Sequence, residues 1–462
     1  MFPIWDGVIG HRPNTKGYSA AMVAEVLLTT GILTGWLGSR SEIKEADDYA
    51  RDFITESITH FEALGETRKI AEARTELAWC YWRSGDNDSA RIFCNEALKR
   101  LTVAGNVTIG GNARANALIV LSFVEWAESR YAESLKVLTN NTPLFERITN
   151  HTFKGAYHNQ IGIILEEIGA ASKKRKGYLH RAIQEYRLAD EEFKLAKNVV
   201  YRAHVKNNIA NVLRDFHQFK EAHAHLEQAR RLFKRAHDTV SMAQVDDTRA
   251  QLFIAEGKYA EAEMIARTAA RSFERSGRHC FLAETLVKQG IALARMREPE
   301  RARFIFQQAI EIAHHAGSLN RAGFAALTMI EEIDKLPREV QLVAFEQAKE
   351  WLANSDSPDI KPRLRAARKK IAAQRQSESK TIDVSDVLFN KQHDLEREVL
   401  KFQHDLIAET LAKVNGKVTH AAKILGLRYQ KLAYIIEKDH PDLLETRTPV
   451  QRRPRKTRKR RK

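Results

Sequence analysis

Between Thr419 and Lys438 the chain carries side chains suited to the surface of a nucleic-acid duplex. An arginine can hold guanine, and a glutamine adenine, through two parallel hydrogen bonds. Each good pair discriminates against the wrong base by about 1–3 kcal/mol. Arg428 and Gln430 supply those two types two residues apart, with Tyr429 and Tyr434 on the same stretch. Thr419, His420, Lys431 and Lys438 are donors or cations of the kind that holds phosphate oxygens and fixes register. Farther on, the last eleven residues, Arg452 to Lys462, contain nine Lys or Arg and no acid, so more than half of the net charge of +16 sits there. Arg452, Arg453, Arg455 and Lys456, with Arg447 before them, are expected to follow a phosphate backbone or enter an adjacent minor groove. Such a tail attracts polyanions without reading their sequence.

These groups read bases only if a scaffold aims them. Val399, Phe402, Leu406, Ile407, Leu411 and Val414 recur at helical spacing, and Asn415-Gly416 stops that helix. A second helix is predicted near 418–425 and a third near 428–437, with Gly426 making the turn between them. Two helices that cross tightly need a small residue four positions before the turn, and Ala422 is there. Ala421, Leu425, Leu427, Leu432 and Ile435 occupy the apolar positions that would glue this pair to the supporting helix.

The segment resembles the Fis-type DNA-binding domain of bacterial regulators. Gly416, Ala421, Ala422, Leu425, Gly426, Leu427 and Leu432 match that family's pattern, whereas Lys417 stands for its Asn, Tyr429 for its Arg and Lys431 for its Thr. The resemblance implies a helix-turn-helix whose third helix enters the major groove of double-stranded DNA. It also implies a homodimer, with recognition helices about 34–36 Å apart. The helix near 395–414, or the helical repeats ahead of it, would hold the pair. The three departures fall on base and phosphate contacts, so they bear on base preference more than on fold.

Ahead of this segment lies a repeat. Ala182, Ala222, Ala262 and Ala302 are evenly spaced, and each is followed seven positions later by Ala189, Ala229, Ala269 and Ala309. Twelve positions before the last three stand Ala210, Ala250 and Gly290. The same spacing recurs as Ala78, Ala90 and Ala97, more loosely with Ser122 and Ser134, and with Gly162 before Ala182, where extra residues are expected to widen the turn around 172–177. Small residues at these intervals suit antiparallel helix pairs whose backbones approach closely. Leu213, Leu226, Phe233, Phe253 and Phe273 are expected to fill the space between successive pairs.

The spacing resembles the tetratricopeptide repeat, with a period longer than that family's usual length of about 34 residues. The whole chain is similar to bacterial regulators that join such repeats to a Fis-type domain. Relatives often carry a sigma-54-type ATPase between the two parts, but this chain has no phosphate-binding Gly-x-x-x-x-Gly-Lys-Ser/Thr. The repeats imply a surface that holds a protein or peptide. Tyr201, Asn207, Asn208, Asn211 and Arg214 are the candidates to line it, the alternative being a solvated polar face.

The expected fold is therefore all-α. Residues 1–20 form an N-terminal segment, 21–353 a right-handed repeat solenoid and 354–391 a basic and polar linker. Residues 392–446 form the helix-turn-helix domain and 447–462 a basic tail. Three cysteines without a CxxC, and no charged leader followed by an apolar run, point to a reducing cytoplasm, and the resemblance to DNA-binding regulators implies association with the nucleoid there. The apolar stretch 21–38 is expected to be a packed repeat helix and not a membrane span. The paired histidines 223/225 and 314/315 lack the i, i+4 spacing of a helical metal site. No hydrolase or dinucleotide motif is present, and neither an enzyme activity nor a cofactor is expected. The competing reading is a repeat scaffold tethered non-specifically to nucleic acid by its basic C-terminus.

Overall fold

A computed structural model describes residues 9–41, 46–103, 111–170, 172–353, 355, 359–381 and 395–445. It divides into two compact units, 1–372 and 373–462. Every regular element among the described residues is helical.

The first unit is a run of antiparallel helix pairs: α1 (Ala20–Ser41) with α2 (Ala46–Ala63), α3 (Thr67–Arg83) with α4 (Asn87–Val103), and α5 (Gly111–Ala127) with α6 (Tyr131–Thr139). After a short α7 (Thr142–Arg147) come α8 (His151–Ala170) with α9 (Arg175–Leu195), α10 (Val199–Asp215) with α11 (Phe219–Arg235), and α12 (Thr239–Ala255) with α13 (Tyr259–Arg275). The series ends with α14 (His279–Arg295) and α15 (Pro299–His315), then α16 (Leu319–Glu332) and α17 (Arg338–Trp351).

The long period has a simple origin. From α10 to α15 every helix has 17 residues, and every connection is a three-residue turn. Its middle residue is left-handed at Lys197, His217, His237, Gly257, Gly277, Arg297 and Gly317, evenly spaced at half the repeat period. Each turn closes in the same way: His217 N–H donates to the Arg214 carbonyl at 2.9 Å and Gln218 N–H to the Leu213 carbonyl at 2.9 Å, satisfying carbonyls that the helix end leaves open. The longer period thus comes from longer helices. In α8 and α9 the extra residues also lengthen the helices, to 20 and 21 residues, instead of widening the turn as expected. In the looser copy, Ser122 and Ser134 bring their hydroxyls to 3.0 Å. There Pro143 opens the separate α7, near whose start a missing N–H costs nothing.

The small residues of the repeat meet side chains of matching size. Gly162 packs on the Tyr186 ring and Gly290 on the Phe306 ring, so close that a Cβ would lie 2.5 and 2.9 Å from ring carbons. At the same repeat position the chain has Ala210 and Ala250, and the residues corresponding to the two rings are Leu226 and Ala266. A glycine on the first helix is thus matched by an aromatic ring on the second, and an alanine by something smaller. Phe233, Phe273 and Phe306 are fully buried, each contributing about 1.5–3 kcal/mol. Phe253, expected beside them, is half-buried, because its ring sits at an edge with His223 at 4.8 Å and Arg249 and Lys258 at 5.9 Å.

This matching makes a measurable prediction. Gly290→Ala should destabilise by about 1–3 kcal/mol through overpacking, and Phe306→Leu should destabilise by leaving a cavity. The double variant recreates the Ala210/Leu226 pairing and should cost clearly less than the sum. Urea midpoints of the four proteins give the coupling energy, and strict additivity would refute the size-matching argument.

α1 is the one helix among the described residues long and apolar enough to cross a membrane. It packs on α2 through Gly31 and Gly38, whose added Cβ atoms would fall 2.6 Å from Ile54 and 2.1 Å from Ala46. At the other end, within the stretch expected as a linker, lies α18 (Ile360–Thr381). Its Ile360 and Ala367 are buried against the last pairs. Arg363 grips Glu331 at 2.7 and 2.9 Å, and Lys370 reaches Asp334 at 3.2 Å. Lys361, Arg365, Arg368 and Lys369 are exposed on the same helix.

The second unit contains α19 (Leu395–Lys413), α20 (Val418–Ile424), α21 (Tyr429–Asp439) and a 3-10 turn at Pro441–Leu444. Its core is Ile407, Leu411, Ala421, Ala422, Leu432, Ile436 and Leu443, with Leu425, Leu427 and Ile435 partly buried around it. Gly426 has φ +66°, a conformation only glycine adopts without penalty. Around it the Leu427 N–H reaches the Ala422 carbonyl at 2.8 Å, closing α20 and directing the chain into α21.

Candidate functional site

In the second unit the geometry sorts α21 into two faces. Leu432 and Ile436 are fully buried, one turn apart. On the other side Gln430, Tyr434 and Lys438 follow each other at four-residue steps, with Lys431 beside them, all exposed. Tyr434 is 59% exposed. The Lys438 ammonium stands 5.5 Å from its ring and is held above the usual lysine range by a hydrogen bond to the phenol. Arg428 is the N-cap residue in extended conformation, and Tyr429 opens the helix; both are exposed. Thr419 and His420, in the first turn of α20, are exposed as well. From Thr410 to Ile436 the chain has no acidic residue and five Lys or Arg, so the stretch around the turn carries positive charge only. Arg452, Arg453, Arg455 and Lys456 lie outside the described residues.

α19 buries Ile407 and Leu411 but leaves Leu400, Leu406 and Phe402 exposed, the last at 71%. Of the apolar positions that marked this helix in the sequence, only part therefore faces the core of its own unit. His404 ties α19 to the 3-10 turn, with Nε2 at 2.6 Å from Asp442. Hydrogen bonds to Asp405 and Asp442 raise its pKa.

In the repeat unit a cavity of about 380 Å³ is bordered mainly by the first helices of five successive pairs, α1, α3, α5, α8 and α10, with Ile54 of α2 and Phe193 of α9. Its walls are aromatic: the Trp79 ring lies 5.3 Å from Trp82 and from Phe123, and Phe153 and Tyr201 close other sides. Glu76 is its carboxyl group. The Asn116 amide donates to Glu76 at 3.0 Å, and burial pushes the acid up to about 7, against the pull of that bond and of Arg83.

Of the residues singled out in the sequence, Tyr201 lines this cavity, and Asn208 holds the cavity-lining Asn159 at 3.1 Å. Asn211 and Arg214 bond to each other at 3.2 Å, and Arg214 also to Asp215 at 3.0 Å, so these two serve the packing of α10. The Asn207 Oδ1 is buried without a protein hydrogen bond. Sequence reasoning missed Glu76, Asn116 and the Trp79/Trp82 pair. The dense run Trp79-Cys80-Tyr81-Trp82 was the available signal.

The tetratricopeptide repeat family matches the chain over residues 71–100, covering most of α3 and α4. The Rap protein in complex with competence and sporulation factor is similar at 13% identity and a TM-score of 0.50, over 75% of this chain and 99% of that one. A signal-transduction ATPase with numerous domains and a tetratricopeptide repeat sensor, from Pyrococcus horikoshii, is similar at 12% identity and a TM-score of 0.53. That match covers 75% of this chain and 50% of the other. The repeat unit has a tetratricopeptide-type fold. No curated protein matches the chain.

Proposed function

We propose that the chain is a sequence-specific DNA-binding transcriptional regulator whose tetratricopeptide-type repeats sense a protein or peptide. Repeats of this type suit protein interaction or sensing. The observation that carries the DNA-binding half is the sorting of α21. Its apolar face is spent on its own small core, while Arg428, Gln430, Lys431, Tyr434 and Lys438 stand exposed beside a turn set by Gly426. Arg428, Gln430 and Tyr434, at the start and along one side of a helix after such a turn, fit base edges in a major groove, and Lys431 and Lys438 fit the phosphates beside it. Thr419 and His420 at the start of α20 fit the flanking phosphates, and the basic tail adds a contact independent of sequence.

A pair of copies is part of the proposal. One small three-helix unit covers little DNA, and the exposed Phe402 and Leu406 on α19 offer an apolar face that a second copy would cover.

Selection of bound duplexes from a random library, with the full chain and with a chain ending at Pro449, tests the reading. Both proteins should enrich the same sequence, arranged as two half-sites about one helical turn apart. The shortened protein should bind more weakly and with a smaller salt slope. Enrichment of no sequence, or binding abolished altogether with the tail, would favour the non-specific tether.

A further inference from the structure

The aromatic cavity of the repeat unit has a chemistry that narrows what it can hold. Ring faces are electron-rich and attract cations, most strongly where water is excluded. Trp79, Trp82 and Phe123 present such a cluster, with ring centroids 5.3 to 5.4 Å apart. Glu76 adds a carboxyl group on the same wall, and Asn116, having donated to it, keeps its carbonyl Oδ1 as a second acceptor. The cation nearest to hand is already engaged. Arg83 donates through Nε to Asp47 at 3.1 Å and through Nη2 to the Cys80 sulfur at 3.1 Å. The site therefore offers two oxygen acceptors and several ring faces, and no competing free cation of its own among those lining residues.

We propose that this cavity binds the free N-terminal amine of a peptide whose first residue is bulky and apolar, with Glu76 as the counter-ion. This rests on the reading of the repeats as a sensing surface and supplies its ligand class. An α-amine carries its charge directly beside the first side chain. One terminal residue can thus set its ammonium on Glu76 and Asn116 while its side chain lies against Trp79 and Phe123. A lysine holds its ammonium four methylenes away from the backbone and from any neighbouring apolar group, so it satisfies one half of the site at a time. A volume of about 380 Å³ suits a terminal residue and part of the next.

The test is calorimetric titration of the full chain, without DNA, with the tripeptides Phe-Gly-Gly and Leu-Gly-Gly and with their N-acetylated forms. The free-amine peptides should bind, and acetylation should weaken binding at least tenfold. Glu76→Gln, nearly isosteric, should weaken the free-amine peptides at least tenfold while leaving the acetylated ones unchanged. Trp79→Ala should weaken both forms. Equal binding of free and acetylated peptides, an unchanged affinity in Glu76→Gln, or no binding of either free peptide at millimolar concentration would each overturn the proposal. Because the peptide comparison uses the unaltered protein, a variant that fails to fold does not rescue it. Because no DNA is present, a failure of duplex selection leaves this result standing, and the reverse holds too.

Discussion

Replacing Arg428, Gln430 and Lys431 together by alanine is expected to erase the preference for a selected duplex while leaving the fold intact. All three are exposed, and none belongs to the core of Ile407, Leu411, Ala421, Ala422, Leu432, Ile436 and Leu443. Alanine is also a strong helix former, so α21 should keep its length. The loss comes from bases left without partners. Two bidentate pairs at about 1–3 kcal/mol each amount to about 2–6 kcal/mol, or roughly 30-fold to more than 10⁴-fold in discrimination. Removing Lys431 should also lower the salt slope by about 0.9, since one phosphate is no longer neutralised. Competition between the selected and a scrambled duplex at fixed salt, with a thermal melt of the same sample, separates these effects. A variant that melts normally and still prefers the selected duplex would show that α21 is not the reading helix.

How much of this could be seen in the sequence depends on the range of each interaction. The turn at Gly426 was legible because its requirements are local: a left-handed φ at one residue, Ala422 four positions before, and apolar residues within nine positions. The repeat was legible for a related reason, since each small residue recurs at a fixed interval. What stayed hidden was set by contact between residues far apart in the chain. Gly162 and Tyr186 lie on successive helices and matter as a pair, so neither looked unusual alone. The cavity draws on α1, α3, α5, α8 and α10, and only their stacking brings Glu76 near Tyr201. Tyr201 and Asn208 follow the rule that polar and aromatic residues on α10 line the repeat surface. Asn211 and Arg214 meet the same rule but are spent on their own helix. The reach of α18 was hidden too, because Arg363 and Lys370 find their acids, Glu331 and Asp334, 32 and 36 positions back.

The largest single effect on the stability of the repeat unit should come from Asp190. This carboxylate, on α9, accepts from Lys206 Nζ at 2.7 Å and from Arg202 Nε at 2.9 Å, both on α10. The side chains of Asp190 and Lys206 are only 8% and 11% exposed. A pair this deep gains little over an apolar pair, since both charges gave up water to form it. Breaking it is another matter, because the remaining charge stays buried without a counter-ion. On the neighbouring α11, His225 registers the same field: burial lowers its pKa first, and the Lys206 charge lowers it further, with Asp190 opposing. Asp190→Ala should therefore cost about 3–5 kcal/mol and add to the positive charge facing His225. Adding Lys206→Met should recover most of that loss, because the methionine stem occupies the same space without a charge. Urea unfolding followed by circular dichroism, with hydrogen exchange to localise any opening to α9–α11, measures both. If Asp190→Ala costs less than about 1 kcal/mol, or if Lys206→Met adds to the damage instead of relieving it, then Lys206 finds water or another acid once Asp190 is gone, and the pair does not hold α9 to α10.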